Sequence, residues 1–212
     1  MANTCLQFCG FVVSCLGWIG IIVATATNDW IFTCKYAVTT CKRMDELGSR
    51  GLWADCVIST ALYHCIALTN IPSLPAYMQA ARALMVGASI LGLPAVALVL
   101  MAMPCINLGS EPDSAKHRRA VLGGVLLLCM GLCGVVSTVW FPIGVHYEVG
   151  LMSFGFSLYA GWVGSAFCLL GGLMISCSSG GSTRRTEERF YYSKQGASNP
   201  NPSSNHAKSA HV

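Results

Sequence analysis

Four long apolar runs stand out from the pattern of hydrophobic and polar positions along the chain of 212 residues. They cover residues 8–27, 83–103, 121–141 and 158–177. Each reaches the roughly 20 residues that an α-helix needs to cross a bilayer core of about 30 Å. None of the four contains Asp, Glu, Lys or Arg, so we expect a scaffold without an ion pathway at membrane depth. The pattern predicts a membrane protein of all-α class, built as a bundle of four transmembrane helices.

The composition supports this interpretation. Hydrophobic residues make up 54% of the chain and charged residues only 10%, which is too apolar for an ordinary soluble domain. No charged segment precedes the first run and no small-residue cleavage site clearly ends it. We therefore expect this run to be retained and not removed as a signal peptide. The net charge of +4 is modest, and we expect no nucleic-acid partner.

The positions of lysine and arginine predict the orientation, because short cytoplasmic segments carry an excess of both. Eight of the 13 lie between the second and third runs or after the fourth, namely Lys116, Arg118, Arg119, Arg184, Arg185, Arg189, Lys194 and Lys208. Both termini (1–7 and 178–212) and the middle loop (104–120) are therefore expected in the cytoplasm. Residues 28–82 and 142–157 are expected to form two extracellular loops.

The first extracellular loop is long enough to fold into a small unit. Residues 30–40 and 56–63 are rich in β-branched and aromatic residues, which predicts short antiparallel strands. Residues 73–82 combine a Ser73 cap with good helix formers, so we expect a helical turn that leads into the second span. After residue 177 the chain turns to Ser, Gly, Asn, Pro and charge, a composition typical of disordered segments.

Four cysteines, Cys34, Cys41, Cys56 and Cys65, fall in the first extracellular loop, where oxidation is the default. Two paired strands could hold Cys56 and Cys65 close enough for a disulfide. Cys34 with Cys41 is a possible second pair. Zinc is the alternative for four cysteines, but the loop lacks closely spaced C-x2-C pairs, so we expect no metal site.

One pattern in this loop is specific to a family. Its members are Trp30, Gly51, Leu52, Trp53, Cys56, Cys65 and Arg82, which spell W…GLW-x2-C-x8-C followed by an arginine. A four-span protein with this pattern resembles the claudins. The cysteines at 34 and 41 and the C-terminal residues 207–212 resemble one branch of that family. The peripheral-myelin and epithelial-membrane proteins, and the auxiliary subunits of glutamate-receptor and calcium channels, share the signature and are the alternatives.

The resemblance implies a left-handed four-helix bundle that carries a small extracellular antiparallel β-sheet. Trp30, Leu52 and Trp53 would pin that sheet to the outer membrane face, where amphipathic indoles are favourable. A disulfide between Cys56 and Cys65 would join two of the strands.

The resemblance also implies a tight-junction protein at cell–cell contacts of the plasma membrane. Such a protein associates with itself in cis and in trans, and with other claudins. For the cis contact we expect Ile71 to enter a neighbour's pocket near Phe141 and Leu158, with local burial of Ile71 as the alternative. Tyr147 and Glu148 would lie in the loop that meets the opposing cell.

Loop charge predicts a seal instead of a cation pore. Between residues 28 and 81 the basic residues Lys35, Lys42, Arg43 and Arg50 balance the acidic residues Asp29, Asp45, Glu46 and Asp55. Cation-pore claudins carry an acidic residue shortly after a signature cysteine, where this chain has Val57, Ile58, Ser59, Thr60 and Ile66. An uncharged lining cannot replace an ion's hydration shell, so we expect a barrier, notably to cations. A paracellular pore or an auxiliary channel subunit is the alternative.

The tail predicts further partners. The chain ends Ala210-His211-Val212, and a hydrophobic terminal residue with a free carboxylate suits a PDZ domain. We therefore expect PDZ scaffold proteins of the junction as partners, besides membrane lipid. Cys105 and Cys177 lie at predicted cytoplasmic span ends and are candidate palmitoylation sites, with an idle thiol as the alternative. No catalytic motif is present in the sequence, so we expect no enzyme activity and no cofactor.

Overall fold

The computed structural model describes residues 2–34, 47–59, 62–103, 113–149 and 152–197. Within these residues the long helices are α1 (Ala2–Ala26), α2 (Ala76–Met101), α3 (Asp113–Val149) and α4 (Phe156–Ala197). Each is long and apolar enough to cross a membrane. The predicted four-helix fold class is confirmed.

A five-stranded antiparallel sheet lies beside one end of the bundle. Its strands are β1 (Ile31–Cys34), β2 (Leu47–Arg50), β3 (Ala54–Ser59), β4 (Leu62–Ala67) and β5 (Met152–Phe154). They are ordered β4-β3-β2-β1-β5, so the first loop supplies four strands and the segment between α3 and α4 supplies an edge. One row of paired residues crosses the whole sheet and consists of Phe154, Ile31, Arg50, Asp55 and Ile66. The predicted antiparallel sheet is also confirmed.

Small residues bring α1 and α4 close together. A Cβ atom added at Gly20 of α1 would lie 2.9 Å from the Cα of Gly164 in α4. One added at Gly161 would lie 2.7 Å from Thr138 of α3 and 3.4 Å from Ala24 of α1. Without a hydrophobic driving force between helices in lipid, such close backbone approach is what holds transmembrane bundles together.

The start of α2 corrects the predicted Ser73 cap. Ser73 lies in a 3-10 helix (Ile71–Ser73), and its hydroxyl donates to the carbonyl of Asn70 over 2.9 Å. Helix α2 begins after Pro75, which makes no side-chain cap. Proline suits this position because its fixed φ leads into a helix and it has no N–H group to satisfy.

Two helices extend past the C-terminal ends of their apolar runs. Helix α3 continues past residue 141 to Val149, so part of the expected second loop is helical. Helix α4 continues to Ala197. Part of the expected tail, residues 178–197, is therefore helical, and its Arg, Glu and Lys residues are good helix formers. Residues 198–212 lie outside the described residues.

Candidate functional site

The signature tryptophans cap the C-terminal end of α1. The last carbonyls of a helix have no partner within it. The indole N–H of Trp30 donates to Ala24 over 2.9 Å, and that of Trp53 donates to Thr25 over 2.6 Å. Trp30 is fully buried, whereas 38% of Trp53 is exposed. The two indoles therefore tie the sheet to the helix end through consecutive carbonyl groups.

Arg82 of α2 joins the same cluster from the other side. Its guanidinium donates from Nε to the Leu52 carbonyl over 2.5 Å and from Nη1 to the Leu68 carbonyl over 3.2 Å. The guanidinium carbon also lies 5.2 Å from the centre of the Trp53 ring, a distance that suits a cation–π contact. Leu52 is fully buried. The structure thus brings together the signature residues that the sequence analysis singled out.

Gly51 is required by a close approach of two backbones. A Cβ atom at this position would overlap the backbone of Asn28. The Asn28 side chain accepts a hydrogen bond from the Trp53 N–H over 3.2 Å. Sequence reasoning did not assign a role to Asn28, because its contacts depend on how the first loop folds back.

The predicted disulfide between Cys56 and Cys65 is confirmed. The two residues are directly paired across β3 and β4, so the bond joins the two strands at one end of the sheet. Cys34 ends β1, but its side chain and the whole of Cys41 lie outside the described part of the chain. Their disulfide stays a prediction.

One face of the sheet at its β3–β4 end is exposed and carries few charges. Val57 pairs with His64, and Asp55 pairs with Ile66. Because side chains alternate along a strand, these four share one face. Val57 is 37% exposed and Ile66 is 60% exposed, and His64 is exposed as well. We call Val57, His64 and Ile66 the exposed row.

Arg50 links three elements electrostatically. From β2, its Nη1 donates to Glu148 Oε2 of α3 over 2.8 Å, and its Nε lies 3.5 Å from Asp55 Oδ1 of β3. Burial works against the charge of Arg50, but Asp55 and Glu148 outweigh it and raise the pKa of the guanidinium. Burial also raises the pKa of the Asp55 carboxyl, against the opposing effect of Arg50. In the sequence Arg50 is recognisable only as a loop charge, because its partner Glu148 is distant in sequence.

The residues expected in assembly are divided between the surface and the core. Ile71 is 62% exposed and Tyr147 is 86% exposed, so the alternative of local burial for Ile71 is wrong. Phe141 and Leu158 are fully buried, and Phe141 packs edge-on against Trp30 with ring centres 5.0 Å apart. Contact with a neighbouring copy through Phe141 or Leu158 would thus have to be indirect.

The remaining candidate sites lie at the ends of the second and fourth spans and at the C-terminus. Cys177 is an exposed free cysteine near the end of the fourth span. Cys105 and the terminal Ala210, His211 and Val212 lie outside the described residues. Palmitoylation and PDZ binding stay predictions.

Comparisons with known proteins agree with the family resemblance of the sequence. Residues 4–175 match the model of the PMP-22/EMP/MP20/Claudin family. The chain is 58% identical to Claudin-11 of Mus musculus and 56% identical to Claudin-11 of Homo sapiens, in each case over the full length of both chains. It is 35% identical to Claudin-7 of Mus musculus over 89% of this chain and 93% of that protein. The similarity to Claudin-11, the oligodendrocyte-specific protein, confirms the branch expected from the sequence.

Proposed function

The chain belongs to the PMP-22/EMP/MP20/Claudin family, as a multi-pass tight-junction claudin, and we propose that it seals the paracellular space as an ion barrier, chiefly against cations. Its sheet would face the space between cells, with both termini in the cytoplasm. The Cys56–Cys65 disulfide supports this orientation, because disulfides persist in oxidising compartments.

The exposed row carries the barrier proposal. Val57 begins the stretch after the first signature cysteine, and Ile66 directly follows the second, the two places where cation-pore claudins carry an acidic residue. Both side chains reach solvent. A fixed carboxylate would lower the cost of removing water from a cation. Exposed apolar side chains offer an ion no such compensation, so entry of a partly dehydrated cation stays unfavourable.

Among the described residues, the charges nearest to the exposed row partly compensate one another. Asp55 lies between the row and Arg50, and its carboxylate is 3.5 Å from the guanidinium. Arg50 is also bound to Glu148. An ion approaching this face meets one cation beside two carboxylates, a net charge of −1 instead of the −2 of the carboxylates alone, which weakens any cation preference.

Assembly would use Ile71 for side-by-side contacts and Tyr147 for contacts with the opposing cell. Both residues have large, exposed side chains. Their partners would be a second copy of this chain and other claudins. Ile71→Gln should reduce strand formation at cell contacts without lowering protein stability, because an exposed side chain contributes little to folding. Thr69→Gln, also at an exposed position, is the matched control.

The tail would recruit PDZ scaffolds through Val212, and membrane lipid would surround the four spans. Replacing Val212 with Asp should abolish binding of the C-terminal peptide to junctional PDZ domains, because the apolar pocket would receive a charge. Unchanged binding would refute this part of the proposal.

The direct test of the function is expression of the chain in an epithelial monolayer that lacks a tight seal. Contact strands with raised transepithelial resistance are the expected result. Strands with raised Na⁺ permeability would instead support a paracellular pore. Contacts without strands, together with capture of a channel, would support an auxiliary-subunit role.

A further inference from the structure

The end of α3 is held by two successive contacts, first with Tyr77 of α2 and then with Arg50 of β2. The Tyr77 ring of α2 packs edge-on against Phe141 with ring centres 6.0 Å apart. A Cβ atom at Gly144, one turn further on, would overlap that ring. One more turn along, Glu148 accepts the hydrogen bond from Arg50 over 2.8 Å. The helix is thus fixed first to α2 and then, at its last turn, to the sheet.

The last turn carries the most exposed large side chain of the described hydrophobic residues. Tyr147 is 86% exposed and is adjacent to Glu148. Because successive residues on a helix point about 100° apart, holding the Glu148 side chain against β2 determines where Tyr147 points. A free last turn would fray, and Tyr147 would sample many directions.

We propose that Arg50 is a positioning residue, which holds the last turn of α3 against the sheet and thereby sets the direction in which Tyr147 is presented. Its consequence for cell–cell contact rests on the function proposed above. The contact between Arg50 and Glu148 itself does not.

Arginine is suited to this role because its guanidinium has several donors in a fixed plane. Nε faces Asp55, the residue paired with Arg50 across β2 and β3, and Nη1 faces Glu148. The cross-strand carboxylate therefore orients the guanidinium, which leaves a second donor directed at α3. Lysine carries its charge at one point and would not satisfy both directions equally well.

The competing explanation is that Arg50 and Glu148 act only as surface charges. The two explanations predict different directions for the effects of the Arg50 and Glu148 variants. If Arg50 and Glu148 acted by lining the ion path, Arg50→Gln and Glu148→Gln would shift Na⁺ over Cl⁻ permeability in opposite directions. If they act as a pair that holds α3, both variants should weaken cell–cell adhesion in the same direction.

The deciding experiment is hydrogen exchange on the purified full-length protein in lipid nanodiscs. Arg50→Gln and Glu148→Gln should each speed exchange of the peptide covering residues 144–149 by about two- to fivefold, the range for a partly exposed ion pair. Glu148→Gln should have no further effect in the Arg50→Gln background, because the pair is already broken. Arg50→Lys should give an intermediate rate.

Arg118→Gln removes an exposed charge at the other end of the same helix and should leave exchange at residues 144–149 unchanged. The proposal is overturned if Arg50→Gln leaves that exchange unchanged, or if the effects of the two single variants simply add. Adhesion of cells expressing these variants, with Tyr147→Ala as reference, then tests the consequence. The variants could change hydrogen exchange as expected while the wild-type chain forms no strands in cells. That result would refute the proposed function and leave the positioning role intact.

Discussion

Trp30 and Ala24 are joined by a hydrogen bond of 2.9 Å from the indole N–H to the helix carbonyl, and both residues are fully buried. The neighbouring carbonyl of Thr25 accepts from the half-exposed Trp53. Two residues of the sequence signature thus serve as the C-terminal cap of α1. This gives the signature a structural reason, because the same indoles that end the helix also fix the sheet to the bundle.

The two caps should differ in energetic weight. Trp30→Phe leaves a buried carbonyl without its donor, and we expect a loss of about 1–3 kcal/mol in the free energy of unfolding. Trp53→Phe should cost less than about 1 kcal/mol, because water can reach a carbonyl beside an exposed ring. Thermal unfolding of the purified variants measures the difference. Equal losses for the two variants would contradict the assignment of the caps.

Gly51 and Gly87 provide a matched pair of glycine substitutions. Gly51→Ala places a Cβ atom on the Asn28 backbone, and we expect about 1–3 kcal/mol of destabilisation from the overpacking. Gly87 lies within α2, and no atom of the described residues comes within 4 Å of its added Cβ, so Gly87→Ala should be neutral or stabilise the helix by about 0.5–1 kcal/mol. Surface expression and the unfolding temperature should fall only for the first variant. A stable Gly51→Ala protein would show that the loop can fold differently.

Asp55 gives stability a dependence on pH. Burial raises the pKa of its carboxyl above the ordinary value of 3.8. The stabilising contribution of the neutral form is therefore complete below 3.8 and is lost as the pH rises through the folded-state pKa. Asp55→Asn does not titrate, so the stability of the wild type relative to this variant should fall between about pH 3 and pH 7. Unfolding midpoints at both pH values test this, and a relative stability that rises with pH would contradict it.

Sequence pattern was sufficient where a feature depends on composition or on local spacing. Uninterrupted apolar runs located the four helices, since few alternatives can bury their backbone groups in lipid. Stretches rich in β-branched and aromatic residues located strands in the first loop. The pairing of Cys56 with Cys65 was predictable because the two strands that carry them are neighbours in the sheet.

The features that sequence did not predict depend on distant contacts. Residues 142–149 are too polar to continue an apolar run, and their helical structure is supported by Tyr77 and Arg50, which lie far away in the sequence. The Ser73 cap failed because Pro75 is an equally suitable start two residues later. Strand β5 is only three residues long, and its position at the edge of the sheet depends on its pairing with β1.

The ratio of Na⁺ to Cl⁻ permeability, from dilution potentials across a leaky epithelial monolayer, tests the central claim most directly. Ile66→Asp introduces a carboxylate on the exposed row, and Ile66→Asn is the uncharged control at the same site. The barrier account predicts that the wild type and Ile66→Asn lower Na⁺ permeability, whereas Ile66→Asp raises it by attracting cations. A wild-type chain that forms strands and raises Na⁺ permeability would contradict the account, and the exposed row would then not set selectivity.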